Sequence, residues 1–235
     1  MRLVLLHALP LDGRMWDAAT MHFDGVYIPT LYGLGDSVRD WAVAILEQCG
    51  GDELLVVGNS VGGSCALEVA RAAPDQVCGV VLVGAKTDVR RDPRARDEAV
   101  RVLRQEGAAA AWDRYWAPLF SARAEPEVVA AARRLAVEQD VEDLITGVRA
   151  FHDRRDHSEF VRTWKGHLLV VSGAHDRTPT PATAAKSVEG TRARQMIIED
   201  SGHYVPLEQP HVFHRVLQEQ LEILQRMNRR RAALR

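Results

Sequence analysis

The sequence predicts an α/β architecture: a mostly parallel twisted sheet flanked by helices, with an inserted helical cap. Three observations lead there. Short apolar runs rich in Val, Ile and Leu alternate with helical patterns, which is how a parallel sheet is wound. One of these runs enters Gly58-Asn-Ser60-Val-Gly62 and is followed by a helix of Ala, Leu and Val. Between two later runs lie about eighty residues with no convincing strand, rich in Ala, Arg, Glu and Leu as helices are.

In chain order, strands are expected near residues 3–7, 26–28, 54–57, 80–83, 168–171 and 195–198. Ser37 with Asp40 resembles a capping box, and Val38, Trp41, Ala42, Ile45, Leu46 and Cys49 then share one helix face, which Gly50 and Gly51 end. Residues 61–73 are apolar almost all round, the pattern of a buried helix, and Pro74 stops them. A further helix starts at Thr180-Pro181 and stops at Gly190. The last, near 210–227, carries Phe213, Leu217, Leu221 and Leu224 as its core stripe. The expected organisation is a core of residues 1–86 and 164–227, a helical cap of 87–163, and a basic tail of 228–235 that frays rather than functions.

The chemistry concentrates at Ser60. A strand-to-helix Gly-x-Ser-x-Gly turn holds its serine at the apex with the hydroxyl exposed. The five-residue pattern alone arises by chance in about one chain in fifteen of this length, so it needs partners elsewhere. A serine hydroxyl is a weak nucleophile; it requires a base, and the base requires a third group to fix its tautomer. Past the expected strand at 168–171 comes Gly173-Ala-His-Asp176, and past the one at 195–198 comes Asp200-Ser-Gly-His203. Ser60, Asp176 and His203 therefore occur in the order Ser…Asp…His, with acid and base each just beyond a strand. Asp88, after the expected strand at 80–83, is an alternative acid that ranks behind Asp176.

These residues resemble the α/β-hydrolase superfamily, and the resemblance runs from Met1 to about Leu224. Leu5-Leu-His-Ala-Leu-Pro10 looks like the family's strand and His-Gly loop, with Trp16 downstream. Tyr32-Gly-Leu-Gly-Asp-Ser37 looks like its Gly-x-Gly-x-Ser turn, and Gly202-His203 with Pro206 and Glu208-Gln-Pro210 fits its final loop. The resemblance implies the α/β-hydrolase fold, no cofactor, and an oxyanion hole made by the backbone N–H groups of Leu9 and Val61. Ala8 stands where the family usually has Gly. The chain looks similar to small capped esterases and to oxoadipate enol-lactonase-like hydrolases.

The chain has 235 residues, 46% hydrophobic, ample for a sizeable core in one domain plus an insertion. A net charge of −2 points away from nucleic-acid and membrane surfaces. Three cysteines, an odd number, argue against a disulfide framework, and Cys65 and Cys78 read as small core residues. The apolar stretch at residues 3–6 is too short for a signal peptide and no run approaches a membrane span, so a cytoplasmic location is expected.

Within the cap, Trp112, Tyr115, Trp116 and Phe120 recur at helical spacing. They either hold the cap together or line an apolar acyl or ring pocket. Fourteen Arg and no Lys against fifteen Asp plus Glu across residues 87–163 favour solvated, ion-paired faces over a charged funnel. Arg154, Arg155 and Asp156 read together as a structural bridge from cap to core. His211 with His214, and His152 with His157, have no clear third ligand, so no metal site is expected. The second position of Gly58-x-Ser-x-x-Gly63 is not the glycine a dinucleotide loop needs, and no P-loop follows any glycine run.

The expected function is that of a cofactor-free serine hydrolase of a small carboxylic ester, lactone or thioester. The alternatives are a C–C bond hydrolase or a non-hydrolytic lyase or synthase using the same triad for proton transfer, and, further off, a ligand-binding protein. The Gly-Asn-Ser-x-Gly-Gly turn resembles that of C–C bond hydrolases, but the Gly-rich loop those carry after the first strand's His is missing here.

Overall fold

The computed structural model describes residues 1–89 and 91–233. Six strands, β1 (Arg2–Leu6), β2 (Val26–Tyr27), β3 (Leu54–Asn59), β4 (Val77–Val83), β5 (His167–Gly173) and β6 (Arg194–Ile198), form one sheet in the order β2-β1-β3-β4-β5-β6. Every described pairing is parallel, with Leu6 opposite Gly58 and Gly58 opposite Leu82. Parallel strands covered on both faces read as continuous apolar runs, and the central β3 is buried from end to end.

The helices are α1 (Asp17–Thr20), α2 (Val38–Cys49), α3 (Val61–Ala72), α4 (Pro93–Ala111), α5 (Pro126–Val137), α6 (Val141–Asp153), α7 (Ser158–Thr163), α8 (Pro181–Ser187), α9 (Val205–Glu208) and α10 (Pro210–Ala233). Ser37 caps α2 by accepting from the Asp40 N–H, and Val38, Trp41, Ala42, Ile45 and Cys49 bury its inner face. In α3, all ten residues from Val61 to Ala70 are buried, so this helix packs on every side. The final helix runs to Ala233 rather than ending near residue 227, so most of the expected basic tail is helical; residues 234 and 235 lie outside the described residues.

Residues 87–163 contribute α4 to α7 and, between α4 and α5, a π-helical turn at Trp112–Trp116 and a 3-10 turn at Ala117–Leu119. Gly107 breaks α4 with φ 83°. Among the described residues no helix is long and apolar enough to cross a membrane.

The chain leaves β1 toward β2 on one side and returns to β3 on the other. Strand order therefore reverses between β1 and β3, where open α/β sheets leave a crevice at the strand C-termini. The loop after β1 and the turn after β3 both open there, and they carry Leu9 and Ser60.

Candidate active site

At the end of β3, Ser60 adopts φ 56° and ψ −115°. A non-glycine residue held there costs about 1–3 kcal/mol and needs surroundings that enforce it. A Cβ at Gly58 would overlap the Gly62 carbonyl, and one at Gly62 would overlap the carbonyl of Leu6 on β1. The turn therefore closes at a separation only glycine allows. The Ser60 N–H donates to the Val83 carbonyl at 2.9 Å. Asn59, fully buried, donates from Nδ2 to the carbonyls of Val83 at 2.9 Å and His203 at 3.2 Å. One side chain thus ties the serine turn to the backbone of the histidine loop.

His203 follows β6 and Asp176 follows β5, and both are buried. Nδ1 of His203 lies 3.0 Å from Asp176 Oδ2, while Asp176 Oδ1 accepts the Thr178 N–H at 2.9 Å. A carboxylate only accepts, so Nδ1 carries a proton, and in the neutral imidazole Nε2 is the nitrogen left with a lone pair. Gly84, with φ 52°, makes room for this pair: a Cβ there would stand 2.9 Å from His203 Nδ1 and 3.1 Å from Asp176 Oδ2. The alternative acid, Asp88, is half exposed and pairs with Lys86 at 2.9 Å.

The His203 loop is held by groups that sequence reading missed. Glu208 accepts from the N–H groups of Ser121 at 2.9 Å, Gly202 at 3.0 Å and Tyr204 at 3.3 Å. Its burial raises its pKa despite those three donors. The buried Tyr204 hydroxyl donates to the Leu9 carbonyl at 3.1 Å, so the histidine loop also fixes the loop after β1. The contacts of Glu208 with Ser121 and of Tyr204 with Leu9 span 87 and 195 positions, and no local pattern announces them. The nearest signal was the Glu208-Gln-Pro210 run, which reads as a helix start.

In the loop after β1, the Ala8 N–H points to the Met15 sulfur at 3.2 Å and the Ala8 carbonyl accepts from Leu11 at 2.9 Å. The methyl at position 8 is thus accommodated with the residue fully buried. His7 accepts the Leu31 N–H on Nε2 at 2.8 Å and donates from Nδ1 to the Ala8 carbonyl at 3.2 Å. Burial lowers its pKa to about 4, so it is a neutral strut of this loop. The N–H groups of Leu9 and of Val61, the first residue of α3, have no protein partner among the described residues. A free N–H at a helix N-terminus is suited to an anion.

Leu9, Ser60 and His203 line one cavity of about 230 Å³. Its apolar wall includes Tyr115, Trp116, Leu119, Val148 and Phe151. The four aromatics grouped by spacing are divided by the structure. Tyr115 and Trp116 line the cavity, whereas Trp112 and Phe120 pack behind it, 5.9 Å apart, with Phe120 4.7 Å from Tyr204. Trp112, Tyr115 and Trp116 lie in the π-turn and Phe120 lies just past the 3-10 turn, so the segment does not follow the 3.6-residue period that grouped them.

The Arg154-Arg155-Asp156 run also divides. Arg155 lies 3.6 Å from the buried Glu68 of α3, and Asp156 accepts the Val89 N–H at 3.1 Å. The buried His157 stands 3.3 Å from Glu68, and its desolvation lowers its pKa to about 4. Arg154 takes no part in this bridge.

With this geometry described, the sequence profile of the alpha/beta hydrolase family matches residues 3–216, and the chain belongs to that family. Among curated proteins it is 33% identical over 119 residues to a pimeloyl-[acyl-carrier protein] methyl ester esterase of Aromatoleum aromaticum, covering 47% of this chain and 42% of that protein. It is also 33% identical over 94 residues to lipase LipV of Mycobacterium tuberculosis, covering 35% of this chain and 36% of that protein. The chain thus aligns with less than half the length of either curated relative. Among solved structures, a thermophilic esterase from Thermogutta terrifontis superposes with TM-score 0.87 at 23% identity, covering 95% of this chain and 90% of that one. The enol-lactonase from Burkholderia xenovorans superposes at 0.82 and 22%, covering 94% and 90%. These two share the fold.

Proposed function

We propose that the protein is a cofactor-free serine hydrolase that acts on a small carboxylic ester, lactone or thioester. The observation that carries this reading is the Asp176–His203 pair at 3.0 Å, whose histidine shares a cavity with a left-handed Ser60. Asp176 orients His203, and His203 Nε2 takes the Ser60 proton as Ser60 Oγ attacks the substrate carbonyl. The N–H groups of Leu9 and Val61 hold the resulting oxyanion; removing one such donor typically costs about 10²–10³ in turnover. The carbonyl re-forms, the leaving group departs with the proton from His203, and an acyl group remains on Ser60. Water, deprotonated by His203, then releases the acid and restores the serine. Residues 87–163 act as the cap, with Tyr115 and Trp116 supplying part of the apolar wall.

The test is labelling with a fluorophosphonate, then assay on a panel of p-nitrophenyl esters. One adduct is expected, on Ser60, and it disappears in Ser60→Ala together with turnover. Ester turnover by Ser60→Ala at more than a few per cent of wild type would sink the acyl-enzyme mechanism.

A further inference from the structure

A second cavity, of about 200 Å³, adjoins the first and shares Ser60, Phe151, His152 and Thr178 with it. The two are lobes meeting at the serine. Apolar side chains dominate the first. The second is lined by Lys86 and Arg154 and by no Asp or Glu.

Arg154 is the unusual member. Its guanidinium lies 3.8 Å from the centre of the Phe151 ring and donates to the Phe151 carbonyl from Nη1. Those contacts fix its plane. Beyond them it makes no hydrogen bond and no ion pair among the described residues, and the Asp88 carboxylate acts on it only at longer range. Its neighbours differ: Arg155 faces Glu68 at 3.6 Å, Arg96 faces Asp153 at 3.0 Å, and Lys86 faces Asp88 at 2.9 Å. Burial pulls the pKa of Arg154 down to about 10, with Asp88 opposing the shift, so it stays charged at neutral pH. A partly desolvated cation with no carboxylate in contact is costly, and a ligand anion would relieve that cost. A planar fork of donors matches a carboxylate bidentately.

We propose that Arg154 is a specificity-determining residue that binds a carboxylate of the substrate in the cationic lobe beside Ser60. This rests on Ser60 as the nucleophile. It narrows the substrate class to short esters or lactones that carry a free carboxylate, such as half-esters of dicarboxylic acids.

The test compares kcat/KM for mono-p-nitrophenyl glutarate with that for p-nitrophenyl valerate, a neutral ester of the same chain length. Wild type is expected to favour the anionic ester by about tenfold or more, the scale of one charged hydrogen-bonded contact. The ratio is expected to fall by about tenfold in Arg154→Gln and to be partly kept in Arg154→Lys. A purely structural arginine would lower both esters together. A wild-type ratio of one or less, or a ratio in Arg154→Gln within about threefold of wild type, overturns the proposal. The wild-type ratio needs no variant to fold. Calorimetric titration of Ser60→Ala with monomethyl glutarate needs no turnover, which separates failure here from failure of the hydrolase reading. Binding that is lost when Arg154→Gln is added supports the assignment, and absence of binding to Ser60→Ala contradicts it.

Discussion

On the sheet side of the cavity, a Cβ added at Gly58 or Gly62 would overlap main-chain atoms of the serine turn or of β1. On the helical side, the wall is made of side chains from α4, the π-turn and α6, among them Ala99, Tyr115 and Val148. Backbone on one side and side chains on the other teach a division of labour. Atoms that must hold one geometry are set by main-chain crowding and long-range hydrogen bonds. In the proposed hydrolase, the atoms that select a substrate would be set by residues that exchange without disturbing the sheet. Changes on the sheet side should therefore act on every substrate, and changes on the helical side on the ratio between substrates.

The largest expected effect is Ser60→Ala, with turnover on all esters down by about 10⁴ or more and a thermal midpoint close to wild type. A selective loss, confined to some esters, would break the division. Next, Gly62→Ala forces β1 and the serine turn apart and should cost about 3 kcal/mol or more in denaturant unfolding. Mild destabilisation would mean that the turn relaxes easily.

A pH titration of stability probes the sheet side through His7. Its folded pKa, about 4, lies below its ordinary value of 6.5. The unfolded chain thus binds more protons between those values, so stability is full above about pH 6.5 and falls as pH drops toward 4. The share due to His7 is at most about 3 kcal/mol, and His7→Asn should flatten that slope. On the helical side, His157 acts in the same direction.

Tyr115→Ala should alter acyl-length preference by about tenfold while turnover on the preferred ester changes less. An unchanged preference would reduce Tyr115 to packing. The smallest effect is expected at Arg155, which is half exposed and 3.6 Å from Glu68; its replacement by Ala should cost less than about 1 kcal/mol.

The same contrast explains what was legible in the sequence. All six strands lie where apolar runs put them; the inner four, β1, β3, β4 and β5, are buried and leave continuous signals, while the edge strands β2 and β6 are half-buried or exposed and were marked by shorter runs. Ser60, Asp176 and His203 each follow a strand, so local patterns located them. The supporting contacts were not legible: Asn59 to His203 spans 144 positions and Tyr204 to Leu9 spans 195. On the helical side, periodicity grouped Trp112 and Phe120 with Tyr115 and Trp116, in a segment that folds as a π-turn and a 3-10 turn, and only the latter two line the cavity. The arginine run looked like one bridge, but only Arg155 and Asp156 make it. Net charge balance across residues 87–163 gave no sign that Arg154, an arginine with no ion pair among the described residues, lines a cavity beside Ser60.

The central claim is that Asp176 orients His203 for Ser60. The direct measurement is turnover of Asp176→Asn and of Asp88→Asn on one activated ester. Asparagine keeps the size of Asp176 but favours the wrong histidine tautomer, and an analogous change in another serine hydrolase costs about 10⁴. The account predicts a loss of that order for Asp176→Asn and near-wild-type turnover for Asp88→Asn, whose carboxylate pairs with Lys86. An active Asp176→Asn beside a crippled Asp88→Asn would contradict it and move the acid to the end of β4.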